Sequence, residues 1–405
     1  MNQERMAMSG KLIDLVVIGG GISGLGMAHF ARNRGLQALV LEASRQPGGC
    51  LRSHCFERPE GAVWAELGAH TCYNSYGNLL QMLEQSGQLQ SLQAKQKQPY
   101  RLWVGNAIKS IASQFNWLEL SAVPLRLLLS KKAGRSVRDY FGGIIGRHNY
   151  QRFLGPALDA VACQPADDIP AESLFRKKSR RKEILRSYTG PRGVQSFIDG
   201  IVAAGLDLRC DQPVVRIEQS AEGFQVETAD GSRFAARKLA LAIAPDQAAK
   251  LLRQLRPELA EQIGAVQMAE VESLAVLLKA ESLSLEPVAG IIGRDGDFYS
   301  AVSRDPVPDP NYRAFTFHFH PGVLDDEGKV QQICQVLGVE RAALLDQVAH
   351  QNRLPALRLG HAGIIETVDR LLAGDSLALT GNWFAGVSIE DSLQRSAAEA
   401  ARLLG

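Results

Sequence analysis

The chain lacks a charge excess of either sign: its 405 residues carry 45 Lys plus Arg against 43 Asp plus Glu, a net charge of +2. That balance argues against a dedicated nucleic-acid binder, which carries a basic excess. No apolar run approaches the ~18–20 residues needed to span a bilayer. The first eleven residues are polar and show no secretory pattern. Cysteine is sparse: Cys50, Cys55, Cys72, Cys163, Cys210 and Cys334 form no CxxC pair and no metal-ligand spacing, so reduced thiols in a cytoplasmic protein, and no metal, are expected. Internal repeats and low-complexity linkers are absent too. With 45% hydrophobic and 22% charged residues, the composition is globular and excludes a disordered chain.

What is present begins at Leu12–Ile18, a short apolar run of the kind that forms a buried parallel strand. Gly19-Gly20-Gly21-Ile22-Ser23-Gly24 follows directly, and a helical pattern runs from Ile22 to about Arg34. A second strand, Ala38–Leu41, closes on Glu42. Strand, GxGxxG, helix, strand and acid in this order predict a dinucleotide site. Gly19 permits the tight turn, Gly21 lets backbone approach a pyrophosphate, and Gly24 lets helix and strand pack closely. The helix start, at Ile22 and Ser23, offers free N–H groups to an anion. Glu42 suits a ribose diol and would repel a 2′-phosphate.

The next segments are Glu42-Ala43-Ser44-Arg45-Gln46-Pro47-Gly48-Gly49, then Cys50-Leu51-Arg52, then Glu66-Leu67-Gly68-Ala69-His70. Glycine pairs leave room for a ligand against the backbone, and Arg52 can meet a phosphate or a ring edge. In this order the segments resemble the flavin-dependent amine oxidase superfamily, which includes protoporphyrinogen oxidases and phytoene desaturases. The resemblance implies FAD, held by Gly19, Gly21, Ile22, Ser23, Gly24, Glu42, Ala43, Gly48, Gly49, Leu51, Arg52, Gly68, Ala69, His70 and Val214.

Near the end, Leu377–Asn382 reads as a strand and turn, followed by Trp383-Phe384-Ala385-Gly386-Val387-Ser388-Ile389-Glu390-Asp391-Ser392 and a helix to Leu404. Ser388 is a good N-cap with Asp391 in the capping-box position. A helix start aimed at a flavin would stabilise the charge of the reduced ring. The wording resembles the protoporphyrinogen oxidase closing pattern, with Leu359-Gly360-His361 upstream, and adds Gly381, Asn382, Gly386, Val387, Ser388 and Ile389 to the implied cofactor contacts. Tyr100–Gly105 resembles that family's segment with an arginine near a substrate propionate, which makes Arg101 a candidate anchor by a bidentate pair. This chain departs from the family in its shorter length, in Ser392 for a common cysteine and in Ala69 for a common proline.

The implied fold is α/β: a Rossmann-like, GR2-type FAD domain from residues 1–75, 191–265 and 361–405, with a mixed α+β substrate domain from 76–190 and 266–360. Within it, Val214–Glu218 and Phe224–Thr228 read as a hairpin and Lys238–Pro245 as a strand returning to the first sheet. Amine oxidases of this superfamily carry a lysine on a substrate-domain strand. The matching strand here, Glu272–Leu278, has Val276 at that place and Lys279 offset. On Phe315–His320, Thr316, His318 and His320 alternate with phenylalanines, so His318 and His320 are candidate bases or simply the wet face of a sheet.

Two segments remain. Residues 115–130 are rich in Leu, Phe and Trp and are followed by Lys131, Lys132 and Arg135; they read first as a core helix pair and otherwise as an amphipathic segment on a membrane surface. Arg176–Lys182 is a charge run, read first as a solvated helix face and otherwise as a site for an acidic substrate or lipid. The expectation is an FAD-dependent oxidoreductase that passes a hydride to flavin and is reoxidised by dioxygen. Its substrate is small, carboxylate-bearing or tetrapyrrolic, with peripheral membrane contact as an adjunct. An amine oxidase or desaturase of a secondary metabolite, or a non-redox flavoprotein such as a sugar mutase, stands as the alternative.

Overall fold

The computed structural model describes residues 12–384 and 386–405. The polar start at 1–11 and Ala385 of the closing motif lie outside the described residues. A seven-stranded sheet forms around Ile13–Ile18, which pairs in parallel with Ala38–Leu41 on one side and Arg233–Leu241 on the other. Asp207–Arg209 extends one edge, and the antiparallel strands Gly223–Thr228 and Val214–Ser220 extend the other; Leu377–Leu379 pairs in parallel with Arg233–Leu241.

Both faces of this sheet are covered, as an apolar central strand requires. Leu15 and Val17 pack under the first helix, Ile22–Arg32, and the last, Ile389–Leu404. Val16 and Ile18 point the other way, toward Pro245–Leu252, Pro257–Gly264 and His361–Leu371. The returning strand ends at Leu241 because Pro245 opens a helix at its N1 position.

A second seven-stranded sheet runs in the order Leu344–Pro355, Met268–Lys279, Tyr312–Phe319, Phe298–Ser303, Gly290–Gly293, Tyr100–Val104, Ala107–Ser110. One face carries Leu274, Val276, Phe315, Phe317, Phe319 and Trp103 under the helix Asp326–Leu337. The other face carries Ala275, Leu277 and Ala314, which pack on Phe56, Val63, Ala65 and Leu67 of the first unit. This inner face meets the nucleotide-binding part of the chain.

Two helical expectations are corrected. The 115–130 segment is not core: Trp117, Leu118, Leu125, Leu127, Leu128 and Leu129 are exposed. It forms two short helices, Trp117–Ser121 and Val123–Leu129, and the three consecutive leucines 127–129 of the second point in different directions around the helix. Phe115 packs against Phe153, and Leu120 and Val123 are half-buried. The charge run is not a helix face either, since residues 176–182 have no regular structure. They form a strap held by Arg181 N–H on the Asn74 carbonyl and by Lys178 at the start of the last helix.

Candidate functional site

Close packing shapes the first loop. Gly19 has φ +105° and donates its N–H to the Leu41 carbonyl at 2.8 Å; a Cβ on it would stand 2.5 Å from the Ala242 carbonyl oxygen. A Cβ on Gly24 would stand 1.9 Å from the Gly19 oxygen, so only glycine lets the helix sit this close to its strand. The helix starts at Gly21 with no side-chain cap and no acid in its first turn. Its first N–H groups and its dipole therefore remain available to an anion.

Glu42 closes the second strand and is half-buried. Its carboxylate accepts the Gly20 N–H at 2.6 Å and the Ser44 N–H at 2.8 Å, which fixes its orientation and leaves lone pairs for hydroxyls. Its carbonyl accepts the Gln212 N–H at 2.9 Å, so the chain entering Val214 runs beside the acid. Ala43 is exposed at the same end.

The second glycine pair meets the first. Gly48 donates to the Gly20 carbonyl at 2.9 Å, and Gly48 and Gly49 both have positive φ, at +127° and +58°. Beyond them Leu51 is buried in the core, and the buried Arg52 Nε has no hydrogen-bond partner among the described residues. The 67–70 loop joins here: Leu67 N–H donates to the Arg52 carbonyl and Ala69 N–H to the Cys50 carbonyl, each at 2.8 Å. A Cβ on Gly68 would stand 2.3 Å from that Cys50 oxygen. A glycine-walled groove, an uncapped helix start, an oriented carboxylate and a guanidinium with an unsatisfied donor together fit a dinucleotide such as FAD.

The closing motif reaches the same loop, with Asn382 Nδ2 3.9 Å from Cys50 Sγ and Gly381 at φ +151°. The last helix is capped by the expected box: Ser388 Oγ accepts the Asp391 N–H, and Asp391 Oδ2 accepts the Ser388 N–H. Lys178 Nζ adds 2.6 Å and 2.8 Å contacts to Ser388 Oγ and Asp391. Gly386 is buried, and a Cβ there would meet Asp391 Oδ2 at 2.5 Å; Val387 is exposed, and Ile389 is core. Glu390, buried, ties this helix start to Asn78 and Leu79. Upstream, His361 bonds the Trp383 carbonyl at 2.5 Å.

Against these loops the inner face of the second sheet sets a row of polar groups. Pairing register aligns Ser300, His318, Ser273 and His350 across four strands. Ser273 Oγ and His318 Nδ1 are 2.8 Å apart. Asn352 Nδ2 donates to Ser273 Oγ at 3.2 Å and to the Leu67 carbonyl at 2.8 Å, which links the row to the 67–70 loop. Burial pushes the His318 pKa down to about 4. His70 is pushed down to about 3, first by desolvation and then by the charges of Lys95 and His318. Both imidazoles are neutral near pH 7 and can accept a proton.

Lys95 approaches from just past the short strand Gln93–Ala94. Its ammonium donates to the His70 carbonyl at 2.9 Å and to Thr71 Oγ1 at 3.0 Å. Burial lowers its pKa, against the pull of Glu66. Glu66 is buried, accepts from Ser53 Oγ at 2.5 Å and from Val194 N–H at 3.0 Å, and is raised to about 7 by desolvation.

The structure does not gather every candidate. Arg101 pairs with Ile291, and its row continues through Ala301 and Phe317 to Leu274. That row belongs to the face turned away from His318, and the Arg101 guanidinium makes no hydrogen bond or ion pair among the described residues. His320 lies past the end of its strand, edge-on to Tyr299 at 4.2 Å, with burial lowering its pKa against the pull of Asp297. Val276 points into the outer core. The inner face of Met268–Lys279 offers Ser273, Ala275 and Leu277, and Lys279 is exposed beside Glu281. Sequence reading missed Ser273, Asn352 and Lys95. For Ser273, strand alternation was a usable signal; Lys95 sits in a polar stretch with none.

Comparison with known proteins gives a consistent set of matches. Residues 17–86 match the NAD(P)-binding Rossmann-like domain, and residues 104–299 match the flavin containing amine oxidoreductase family. Human lysine-specific histone demethylase 2 is 21% identical over 280 residues, 61% of this chain and 32% of that protein. Pig amine oxidase [flavin-containing] A is 34% identical over 85 residues, 21% of this chain and 16% of that protein. The chain thus matches about a third or less of these relatives' length. Among solved structures, a protein assigned as a protoporphyrinogen oxidase from Exiguobacterium sp. 255-15 superposes with TM-score 0.77 at 16% identity, covering 96% of this chain and 98% of that one. Reduced UDP-galactopyranose mutase gives 0.76 at 14% identity, covering 97% and 94%. A putrescine oxidase variant gives 0.68 at 13%, covering 97% and 99%. These three likenesses show the fold.

Proposed function

For a chain that belongs to the flavin-dependent amine oxidase superfamily and takes FAD, we propose the role of an oxidase that removes hydrogen from an apolar, carboxylate-bearing substrate of the porphyrinogen type. The observation that carries this reading is the neutral, oriented His318, held by Ser273 on the inner sheet face opposite the 67–70 loop. FAD, when bound, supplies the hydride acceptor. His318 takes the proton from the atom next to the carbon that gives up its hydride, and the electron pair freed there closes the new double bond of the product. Ser273 and Asn352 fix the imidazole, and Lys95 fixes the His70 carbonyl and Thr71. Dioxygen, taken as the final acceptor, leaves as hydrogen peroxide.

The cofactor-binding assignments made from the sequence carry over to this reading. In it Gly19, Gly21, Ile22, Ser23 and Gly24 serve the pyrophosphate, Glu42, Ala43 and Val214 the adenosine, and Gly48, Gly49, Leu51, Arg52, Gly68, Ala69, His70, Gly381, Asn382, Gly386, Val387, Ser388 and Ile389 the rest. On Met268–Lys279 the inner-face positions beside His318 are Ser273, Ala275 and Leu277, and Lys279 stands exposed at the far end opposite Tyr312; no lysine of this strand adjoins His318, which favours carbon–carbon over amine oxidation. Arg101, on the outer face, is not placed to anchor a carboxylate beside His318.

The test is oxygen uptake and peroxide formation by FAD-loaded protein given a porphyrinogen, a diamine or a monoamine. Turnover of the porphyrinogen alone supports the proposal. Turnover of an amine alone replaces it with the amine-oxidase reading.

A further inference from the structure

Two segments outside the cofactor loops come together on one surface. The first holds Trp117, Leu118, Leu125, Leu127, Leu128 and Leu129, each between 54% and 86% exposed. The second is the strap 174–182, with Phe175 68% exposed. They are joined by Lys132 Nζ on the Leu174 carbonyl at 2.6 Å and by Ala171 N–H on the Arg135 carbonyl at 2.9 Å. The ring of Phe175 lies edge-on to Phe141.

Charge on this surface is mainly positive, with acids at its edges: exposed Glu172, which acts on Lys132, and Glu183, paired with Arg181. Residues 117–135 carry four cations and one carboxylate, and residues 174–182 carry six cations and no carboxylate. The acid within these two stretches, Glu119, turns inward onto the N–H groups of His148 and Asn149. Lys178 and Arg181 are taken up by Asp391, Glu84 and Glu183. Lys131, Arg135, Lys177, Arg180 and Lys182 remain exposed.

We propose that this surface docks on an anionic phospholipid bilayer, with the leucines and Trp117 entering the headgroup boundary and the cations meeting lipid phosphates. A second copy of the chain fits poorly, because a two-fold interface would set the cations of one copy against those of the other. A protein partner fits poorly as well, since lysine is depleted in protein interfaces. The strap continues from this surface to the start of the last helix through Lys178, so docking brings the lipid face next to the candidate site. Docking stands independently of the oxidase reading; only delivery of an apolar substrate from the bilayer rests on it.

The test is co-sedimentation of the FAD-loaded protein with phosphatidylcholine vesicles, with and without one-third phosphatidylglycerol (a fraction of about 0.3, enough to give a negative surface potential). The expected result is binding to the anionic vesicles and release by salt. Lys177→Ser/Arg180→Ser/Lys182→Ser should weaken it about 10²-fold. Leu128→Ser/Leu129→Ser should weaken it about tenfold or more. Both variants should keep the wild-type flavin spectrum and melting temperature. No binding to anionic vesicles, or equal binding to both kinds, overturns the proposal. So does a concentration-dependent dimer that the leucine variant dissolves.

Discussion

Replacing His318 by glutamine tests the environment of the inner sheet face directly. The imidazole has an ordinary pKa of 6.5 in the unfolded chain and about 4 when folded. At pH 8 it is neutral in both states and contributes no pH dependence. At pH 5 the unfolded chain takes up a proton that the folded chain refuses, which costs about 2 kcal/mol of stability. The contribution is therefore present above 6.5 and lost as pH falls toward 4. His70 acts in the same direction through its fall to about 3. Glu66 acts the opposite way: raised to about 7, it contributes below 4.5 and fades as pH rises to about 7. Comparison of wild type with His318→Gln cancels the Glu66 part, since both proteins contain it. The glutamine amide can keep the bond to Ser273 but cannot titrate. Urea unfolding of the FAD-loaded proteins at pH 8 and pH 5, followed by tryptophan fluorescence, should show the variant losing about 2 kcal/mol less than wild type. Equal losses would refute the placement of a buried, neutral imidazole at this position.

Other perturbations give sharp expectations. Gly24→Ala puts a methyl 1.9 Å from the Gly19 oxygen; separating helix from strand should cost about 1–3 kcal/mol and abolish the yellow colour on FAD reconstitution. Arg313→Met strands the buried Asp305, which the guanidinium holds through Nε at 2.9 Å. A loss of about 3–5 kcal/mol in urea unfolding is expected. Lys95→Met removes the charge that depresses His70, so the His70 pKa should rise in an NMR titration, with about 1–3 kcal/mol lost from the two bonds to His70 and Thr71.

The FAD-side loops were legible because their signal is local. Gly19 to Glu42 belongs to one unbroken βαβ unit, in which Gly24 answers a steric demand set by Gly19 and Gly19 one set by Ala242 at the end of the next strand. The Ser388–Asp391 box was legible for the same reason, being four residues long. The inner polar row was not, because it depends on pairing register: His318 is 45 residues from Ser273, and Ser273 is 79 from Asn352. Arg101 shows the same limit. Its strand was evident, but its face is fixed by the pairing of Ile291 with Arg101, which no single segment encodes. The leucines at 125–129 were misplaced because apolar residues read alike whether a helix covers a core or faces outward. The charge run lost its helix for a tertiary reason, since Lys178 is drawn to the cap of a helix 210 residues later.

On the proposed function, the FAD site faced by a neutral His318 oxidises a porphyrinogen-type substrate. The most direct measurement is anaerobic stopped-flow mixing of the yellow protein with protoporphyrinogen IX. The expected result is bleaching of the flavin band, then recovery and porphyrin fluorescence on admission of oxygen, with bleaching slowed about 10²-fold or more in His318→Gln. A flavin that stays oxidised with this substrate, or one that is bleached equally fast in the variant, would contradict it.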